Sequence, residues 1–288
     1  MSATTTKTHE LATRVRRLQL AAIYHAQSGH PGGSLSCTDL LVWLWENLYR
    51  DAAPNDAAGG EQFILSKGHA CPALYAVGAE FGLITREEAL RLRKLGSPCQ
   101  GHPHVVDLPW VGASTGSLGQ GFSVGVGKAL ALKHLEKPGF VTVILGDGEL
   151  QEGEVWEAAM SAAHHQLGNL IAVVDYNKLQ SDDWNSAICG LEPLADKWRS
   201  FGWRTLEVDG HDYNELGRVF GEARSASEQP TCILAHTHKG RGVGFMEDSP
   251  LWHGSVCLTE EQLRDSLREL DTPEDEINAW VEGSVPRG

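Results

Sequence analysis

Several features that would mark particular classes of protein are missing from this sequence of 288 residues. Its six cysteines include no Cys-x-x-Cys pair and no zinc-ribbon spacing, so a structural zinc site is not indicated. The N-terminal segment lacks the apolar core of a signal peptide, and no run reaches the roughly 18 apolar residues of a membrane span. We therefore expect reduced thiols and a cytoplasmic protein.

Positive charge is also scarce. Lysine and arginine number 24 against 38 aspartates and glutamates, which gives a formal net charge of −14. A field of this sign opposes nucleic acid and anionic membranes as partners. A phosphorylated ligand would therefore need a local cationic or metal-containing site.

What is present is an alternation of apolar strands and helical segments. Strands are predicted at 63–66, 141–145, 170–177, 204–210 and 230–238, and helices at 9–27, 37–49, 72–82, 85–95, 152–167 and 212–226. Continuous apolar strands alternating with helices indicate an α/β fold, a parallel sheet with helices on both faces. We expect one domain over residues 1–257 and a helical extension over 258–288, which opens on a capping box from Thr259 to Gln262.

Two of these strands end in polar residues suited to a metal. Asp147 lies in a Gly-Asp-Gly turn after one strand, and Asn177 ends the next. Ligands bind at the carboxyl ends of parallel strands, so both side chains can face one point. With the Leu179 carbonyl they form a hard oxygen set for magnesium or calcium, completed by diphosphate oxygens. Taken alone, Gly-Asp-Gly is a common turn; the second strand end is what favours a site.

A glycine-rich loop at 112–121 precedes a helical segment lined with small residues. The N–H groups of such a loop, together with the N-terminus of the helix, can hold an anion. The alternative is a tight turn whose glycines serve packing, and the pattern by itself does not decide between them.

Four histidines lie in loops rich in glycine and proline: His30, His69, His102 and His253. Imidazoles suit hydroxyl recognition, diphosphate contact and proton transfer near neutral pH. For any single one, a surface or capping role is the simpler interpretation. A zinc cluster of His102, His104, His236 and His238 is an alternative that no cysteine or carboxylate spacing supports.

The ordered set of motifs resembles the transketolase family. The stretches are SGHPGGSLS, FILSKGHACPALY, GHPH, STGSLGQGFSVGVGKALA, GDGELQEGEVWEA, DYNKLQSD, DGHD, THKGRG and HG after Trp252. They lie between residues 28 and 254, and the resemblance covers nearly residues 10 to 255. The resembling part of the family is the domain that holds the diphosphate of thiamine diphosphate. Where the family loop usually reads Gly-Pro-Leu, this chain has Ser117 between the glycine and the leucine.

The resemblance implies a role for each matching residue. Asp147, Asn177 and the Leu179 carbonyl are implied as ligands of Mg²⁺, with Ca²⁺ an alternative. Cofactor contacts are implied for His69, Gly116, Ser117, Leu118, Gly148 and His253. His30, His102 and His253 match histidines around the reacting hydroxyls of the donor sugar. Glu152 matches an acidic residue at the subunit interface.

The resemblance further implies transfer of a two-carbon ketol (glycolaldehyde) unit from a ketose to an aldose, either of which can be phosphorylated. The family's pyrimidine-binding half does not occur within these 288 residues. We therefore expect a separate subunit that carries this half, in an α2β2 assembly. Two alternatives stay open: transfer to a carrier-bound or unusual acceptor in a specialised pathway, and a non-catalytic paralogue.

Overall fold

The computed structural model of this chain describes residues 3–50, 54–55, 60–225, 228–254 and 256–286. Its α-helices, in chain order, are α1 (Ala3–Ala26), α2 (Pro31–Ser36), α3 (Thr38–Asn47), α4 (Cys71–Glu80), α5 (Arg86–Leu90), α6 (Gln120–His134), α7 (Gly153–His164), α8 (Asn185–Ile188), α9 (Leu194–Ser200), α10 (Tyr213–Arg224), α11 (Glu260–Glu269) and α12 (Glu274–Val281). Its strands are β1 (Gln62–Leu65), β2 (Val141–Gly146), β3 (Leu170–Tyr176), β4 (Leu179–Gln180), β5 (Asp183–Trp184), β6 (Arg204–Asp209) and β7 (Thr231–His236).

The chain forms two compact units, each discontinuous in sequence. The first unit comprises Met1–Arg50, His69–His102 and His238–Gly288, and the second comprises Asp51–Gly68 and Pro103–Thr237. The C-terminal helices α11 and α12 thus belong to the first unit. The division expected at residue 257 stays a prediction.

The first unit is helical, and α1 is its longest helix. The apolar residues predicted to share one face of α1 are all buried: Leu11, Val15, Leu18, Ala22 and Ile23. This helix contacts α3, α4, α5 and α11. Burial of this apolar face supplies most of the stability of the 24-residue helix, because packing rather than propensity stabilises most helices in proteins.

The second unit is built on a five-stranded sheet in the order β1-β2-β3-β7-β6. Every neighbouring pair in this sheet is parallel, while β4 and β5 form a separate antiparallel pair. The predicted α/β class, a parallel sheet with flanking helices, is confirmed. In such a sheet the carboxyl ends of all strands meet at one edge, so residues that follow β1, β2 and β3 lie close together.

Helix α6 packs closely on the sheet through its small residues. A Cβ added at Gly125 would lie 2.5 Å from Val143 Cγ2 on β2. Phe122 of the same helix contacts the rings of Trp198 and Trp203 in the core. The small residues therefore bring the loop before α6 down onto the carboxyl edge of the sheet.

Among the described residues, no helix is both long enough and apolar enough to cross a lipid bilayer.

Candidate functional site

Asp147 follows β2 directly at the carboxyl edge of the sheet, and its side chain is only 2% exposed. Its carboxylate accepts hydrogen bonds from the backbone N–H of Gly148, at 2.7 Å, and from the backbone N–H of Lys178. The second bond crosses from the end of β2 to the loop after β3. It places Asp147 beside the residue that follows Asn177.

Asn177 follows β3 and is 5% exposed. Its Oδ1 accepts a hydrogen bond from the Leu179 N–H at 3.1 Å, and its Nδ2 donates to Asp175 Oδ2 at 3.3 Å. The next residue, Lys178, has φ of 67°, in the left-handed region that non-glycine residues rarely adopt. The loop is thus held in an uncommon backbone conformation, of a kind found at ligand sites.

The oxygen atoms at this edge fit a hard divalent cation. Each carboxylate or amide oxygen has two lone pairs, so Asp147 and Asn177 keep acceptor capacity beyond the N–H bonds just described. Carboxylate, carboxamide and backbone carbonyl oxygens are the ligands that Mg²⁺ and Ca²⁺ prefer. No group of three or more His, Cys, Asp or Glu side chains in the described part of the chain could hold a metal. A cation here would therefore need amide, carbonyl or ligand oxygens.

The zinc alternative fails on the same observation. Three of its four histidines instead form hydrogen bonds with carboxylates. His104 pairs with Asp107 at 2.7 Å, His236 with Glu207 at 2.9 Å and His238 with Asp248 at 3.0 Å. Soft and borderline metals have no assembled ligand set among these described residues.

A buried ion pair, which the sequence did not indicate, supports Asn177. Lys67 follows β1 and is 1% exposed, and its ammonium pairs with the fully buried carboxylate of Asp175 on β3. Asp175 also accepts hydrogen bonds from the Thr237 hydroxyl and from Asn177 Nδ2. Since Asp175 engages the amide nitrogen of Asn177, the orientation of that carboxamide is fixed.

The loop predicted to pass the cofactor rings lies just before α6. Gly116 has φ of 154° and Gly119 has φ of 88°, backbone conformations that favour glycine, and the chain turns at Leu118 and Gly119. Ser117 is exposed, and Gly116 and Leu118 are partly exposed. The Gly119 N–H donates to the Glu149 carboxylate at 2.9 Å, which ties the loop to the segment after the Gly-Asp-Gly turn.

In the first unit, three of the four predicted histidines form one cluster. The ring centroids of His30 and His69 are 5.1 Å apart, those of His69 and His253 are 5.5 Å apart, and those of His30 and His253 are 6.0 Å apart. These residues come from three separate loops. Tertiary packing of the first unit therefore assembles the cluster.

Two cations that the sequence interpretation did not single out adjoin this cluster. Lys239 is buried, and its Nζ lies 2.6 Å from His253 Nδ1. Arg93 Nη2 lies 3.5 Å from His30 Nδ1. They provide the local positive charge that an anionic ligand needs in a protein of net charge −14.

The remaining predicted residues are placed as follows. Desolvation, with the nearby Arg93 guanidinium, lowers the pKa of His102, which favours the neutral imidazole. Gly148 begins the short 3-10 helix after the turn, and an added Cβ there would lie 2.7 Å from Gln180 Cβ, so a glycine is required. Glu152 is exposed at the start of α7.

Comparison with known proteins identifies the class. Residues 7–276 match the family described as "Transketolase, thiamine diphosphate binding domain". The chain belongs to this family. The resemblance given by the motifs is thereby confirmed, as is the predicted class of enzyme, a transketolase-type transferase.

Two relatives are similar to the chain over nearly their whole length. One subunit of the apulose-4-phosphate transketolase of Phocaeicola vulgatus is 38% identical over 268 residues, which cover 92% of this chain and 94% of the relative. The 6-deoxy-6-sulfo-D-fructose transketolase subunit SqwG of a Clostridium species is 40% identical over 261 residues, 90% of this chain and 94% of the relative.

Longer transketolases match over only part of their length. Human transketolase is 40% identical over 248 residues, which cover 85% of this chain but 39% of the human protein. The crystal structure of the Campylobacter jejuni transketolase superposes with a TM-score of 0.85 at 27% identity, over 98% of this chain and 47% of that one. The chain thus spans less than half of these proteins.

Proposed function

We propose that this chain is the thiamine-diphosphate-binding subunit of a split transketolase, which transfers a ketol (glycolaldehyde) unit from a ketose donor to an aldose acceptor. The observation that carries the proposal is the buried pair Asp147 and Asn177 at one edge of the sheet, joined through the Lys178 N–H. It supplies hard oxygen ligands in the place where parallel sheets bind ligands.

We assign Asp147, Asn177 and the Leu179 carbonyl to the metal, with Mg²⁺ as the expected ion and Ca²⁺ as an alternative. Gly148 and His69 are assigned to the diphosphate. Gly116, Ser117 and Leu118 pass the rings, and His253 is also assigned to the cofactor. Bound thiamine diphosphate supplies the carbon nucleophile and the electron sink for the two-carbon unit.

Three of the predicted histidines are proposed to transfer protons and to recognise hydroxyl groups. We assign His30, His102 and His253 to the reacting hydroxyls of the sugar. The Lys239 ammonium lies 2.6 Å from His253 Nδ1 and can only donate, so Nδ1 is the acceptor in this contact. A neutral imidazole can accept a proton from a substrate hydroxyl. Glu152 is assigned to the interface with another subunit, which its exposure at α7 permits.

A second subunit is part of the proposal. Two similar proteins of nearly the same length are named as transketolase subunits, which supports a partner chain carrying the pyrimidine-binding domain, in an α2β2 assembly. Both names specify unusual sugars, which supports the second candidate, two-carbon transfer in a specialised pathway. The intact ligand set argues against the non-catalytic alternative.

The test is reconstitution. The chain is mixed with a candidate partner that carries the pyrimidine-binding domain, thiamine diphosphate and Mg²⁺. Glycolaldehyde transfer is then measured from xylulose 5-phosphate, apulose 4-phosphate and 6-deoxy-6-sulfofructose. Turnover is expected with at least one donor and only when both chains are present. Cofactor binding without turnover from any ketose would overturn the proposed activity.

A further inference from the structure

Glu149 is a buried carboxylate with no role in the assignments above. It is the second residue of the short 3-10 helix Gly148–Gln151 and is 2% exposed. Its Oε1 accepts hydrogen bonds from the Ser66 hydroxyl and from the Gly119 N–H, the latter at 2.9 Å, and its Oε2 accepts from the Gly146 N–H at 2.9 Å. One side chain therefore joins three segments of the second unit.

The three segments are the loop after β1, the glycine-rich loop before α6 and the end of β2. Two of them contain the residues assigned to the cofactor, Gly116–Leu118 and Asp147–Gly148. Hydrogen bonds to an ionised carboxylate are about twice as strong as neutral ones. Burying a carboxylate costs free energy unless it is fully hydrogen-bonded. The donors therefore tightly constrain the position of the Glu149 carboxylate.

Packing at the same point leaves little room for adjustment. A Cβ added at Gly121 would lie 2.7 Å from Ser66 Cα, so the first turn of α6 rests directly on the loop after β1. Burial raises the pKa of the Glu149 carboxyl, while Ser66, the two backbone amides and the Lys67 ammonium lower it. The donors are thus directed at the carboxylate from several sides.

We propose that Glu149 is a positioning residue, which fixes the glycine loop 116–119 relative to the Gly-Asp-Gly turn before the cofactor binds. The inference rests on the proposed function for its link to thiamine diphosphate. A site already held in its binding conformation loses little entropy when the ligand binds. A loose site loses more, and its affinity for the ligand is weaker.

The first experiment measures backbone hydrogen exchange in the full chain without cofactor. In Glu149→Gln one carboxylate oxygen becomes an NH₂ group, which cannot accept from a backbone N–H. We expect exchange at Gly119 or Gly146 to quicken about tenfold, the effect of losing one charge-assisted hydrogen bond. Asn169→Ala is the matched control. It removes a hydrogen bond to Ala129 O at the opposite edge of the sheet and should leave these amides unchanged.

The second experiment measures binding of thiamine diphosphate with Mg²⁺ by calorimetry. Glu149→Gln should weaken affinity by about 10- to 100-fold, the range for partners that orient metal ligands. Ser66→Ala, which removes one donor, should have a smaller effect, and Asn169→Ala none. Native affinity and native exchange in a folded Glu149→Gln chain would overturn the inference. If the unaltered chain bound no cofactor, the proposed function would fail, and the exchange experiment would still decide whether Glu149 holds the loop.

Discussion

Asp147 has two tasks in the proposed site. Its carboxylate is the proposed metal ligand, and it accepts two backbone N–H groups, one from its own turn and one from the loop after β3. The bond to Lys178 keeps the neighbouring Asn177 in place. Loss of this side chain should therefore affect metal binding both directly and through the loop.

The variants Asp147→Asn and Asp147→Ala test the assignment of this side chain to the metal. The asparagine keeps an acceptor oxygen but loses the charge, whereas the alanine loses both. We expect thiamine diphosphate binding in Mg²⁺ to weaken by more than about 100-fold in both, because a direct ligand should matter more than a residue that orients one. Calorimetry checks this, with the exposed Asp196→Ala as the control. Unchanged affinity in Asp147→Ala would show that the ligand assignment is wrong.

The buried pair of Lys67 and Asp175 should dominate local stability. Lys67→Met leaves the Asp175 carboxylate buried without its counter-charge, which costs about 3–5 kcal/mol. Adding Asp175→Asn removes the unpaired charge, so the double variant should be more stable than Lys67→Met alone. Urea unfolding measures both. The exposed Lys7→Met should change stability by no more than about 0.5 kcal/mol. A Lys67→Met chain as stable as the original would contradict the expected role of the pair.

At the residue level, the sequence led to the candidate site residues but not to the side chains that hold them in place. Asp147 and Asn177 could be recognised because each ends a clear apolar strand. Lys67, Asp175 and Glu149 could not, because their partners lie on other strands and loops and no spacing along the chain indicates such pairs. Lys239 and Arg93 were missed for the same reason, although both lie next to predicted histidines in the structure.

Among the secondary-structure elements, the strands of the sheet were predicted within one or two residues. Buried parallel strands are continuous apolar runs, and this signal is strong. Helix α5 was predicted over 85–95 but ends at Leu90. Arg93 has φ of 59° and its N–H donates to Cys99 O, so the chain leaves the helix there. That turn brings the Arg93 side chain to His30, a consequence that helical periodicity could not reveal.

The sequence analysis also did not predict two short elements, the helix α2 and the hairpin of β4 and β5. The helix predicted over 9–27 corresponds to α1, which ends at Ala26. Pro31 then begins the short helix α2, because proline suits the first turn of a helix. The hairpin of β4 and β5 follows from two left-handed residues, Lys178 and Ser181. Neither position carries the glycine that would have indicated it.

Helix α6 provides a matched test of close packing. Gly121→Ala places a methyl group 2.7 Å from Ser66 Cα, so we expect a loss of about 1–3 kcal/mol. Gly127→Ala, on the same helix, meets nothing within 4 Å and should gain about 0.5–1 kcal/mol. Denaturant unfolding of both variants checks the difference. Equal effects would show that helix propensity alone, rather than contact with the sheet edge, governs these glycines.

For the whole molecule, the distribution of charge bears on how an anionic cofactor is held. The net charge of −14 opposes a diphosphate at long range, yet each unit carries buried cations, Lys67 in the second and Lys239 in the first. In the second unit the Lys67 charge is matched by Asp175. Within the second unit, we therefore expect the divalent ion to offset most of the diphosphate charge. Binding of the cofactor should then depend on the metal more than on ionic strength.

This dependence predicts how the chain responds to its ligands. A ligand that binds only the folded state stabilises it by about 2.7 kcal/mol at 100 times its dissociation constant. At roughly 2–4 °C per kcal/mol, the melting temperature should rise by roughly 5–10 °C with thiamine diphosphate and Mg²⁺ together.

Neither component alone should produce this shift, because the metal ligands and the diphosphate complete each other's coordination. Chelation with EDTA should reverse it, and Ca²⁺ should restore it, since the same oxygen ligands suit both ions. Thiamine without its diphosphate is the matched control, and a scan of melting temperature under each condition is the measurement. An equal shift with thiamine, or with the full cofactor in EDTA, would mean that the rings and not the Asp147 edge hold the ligand. The metal assignment would then have to be abandoned.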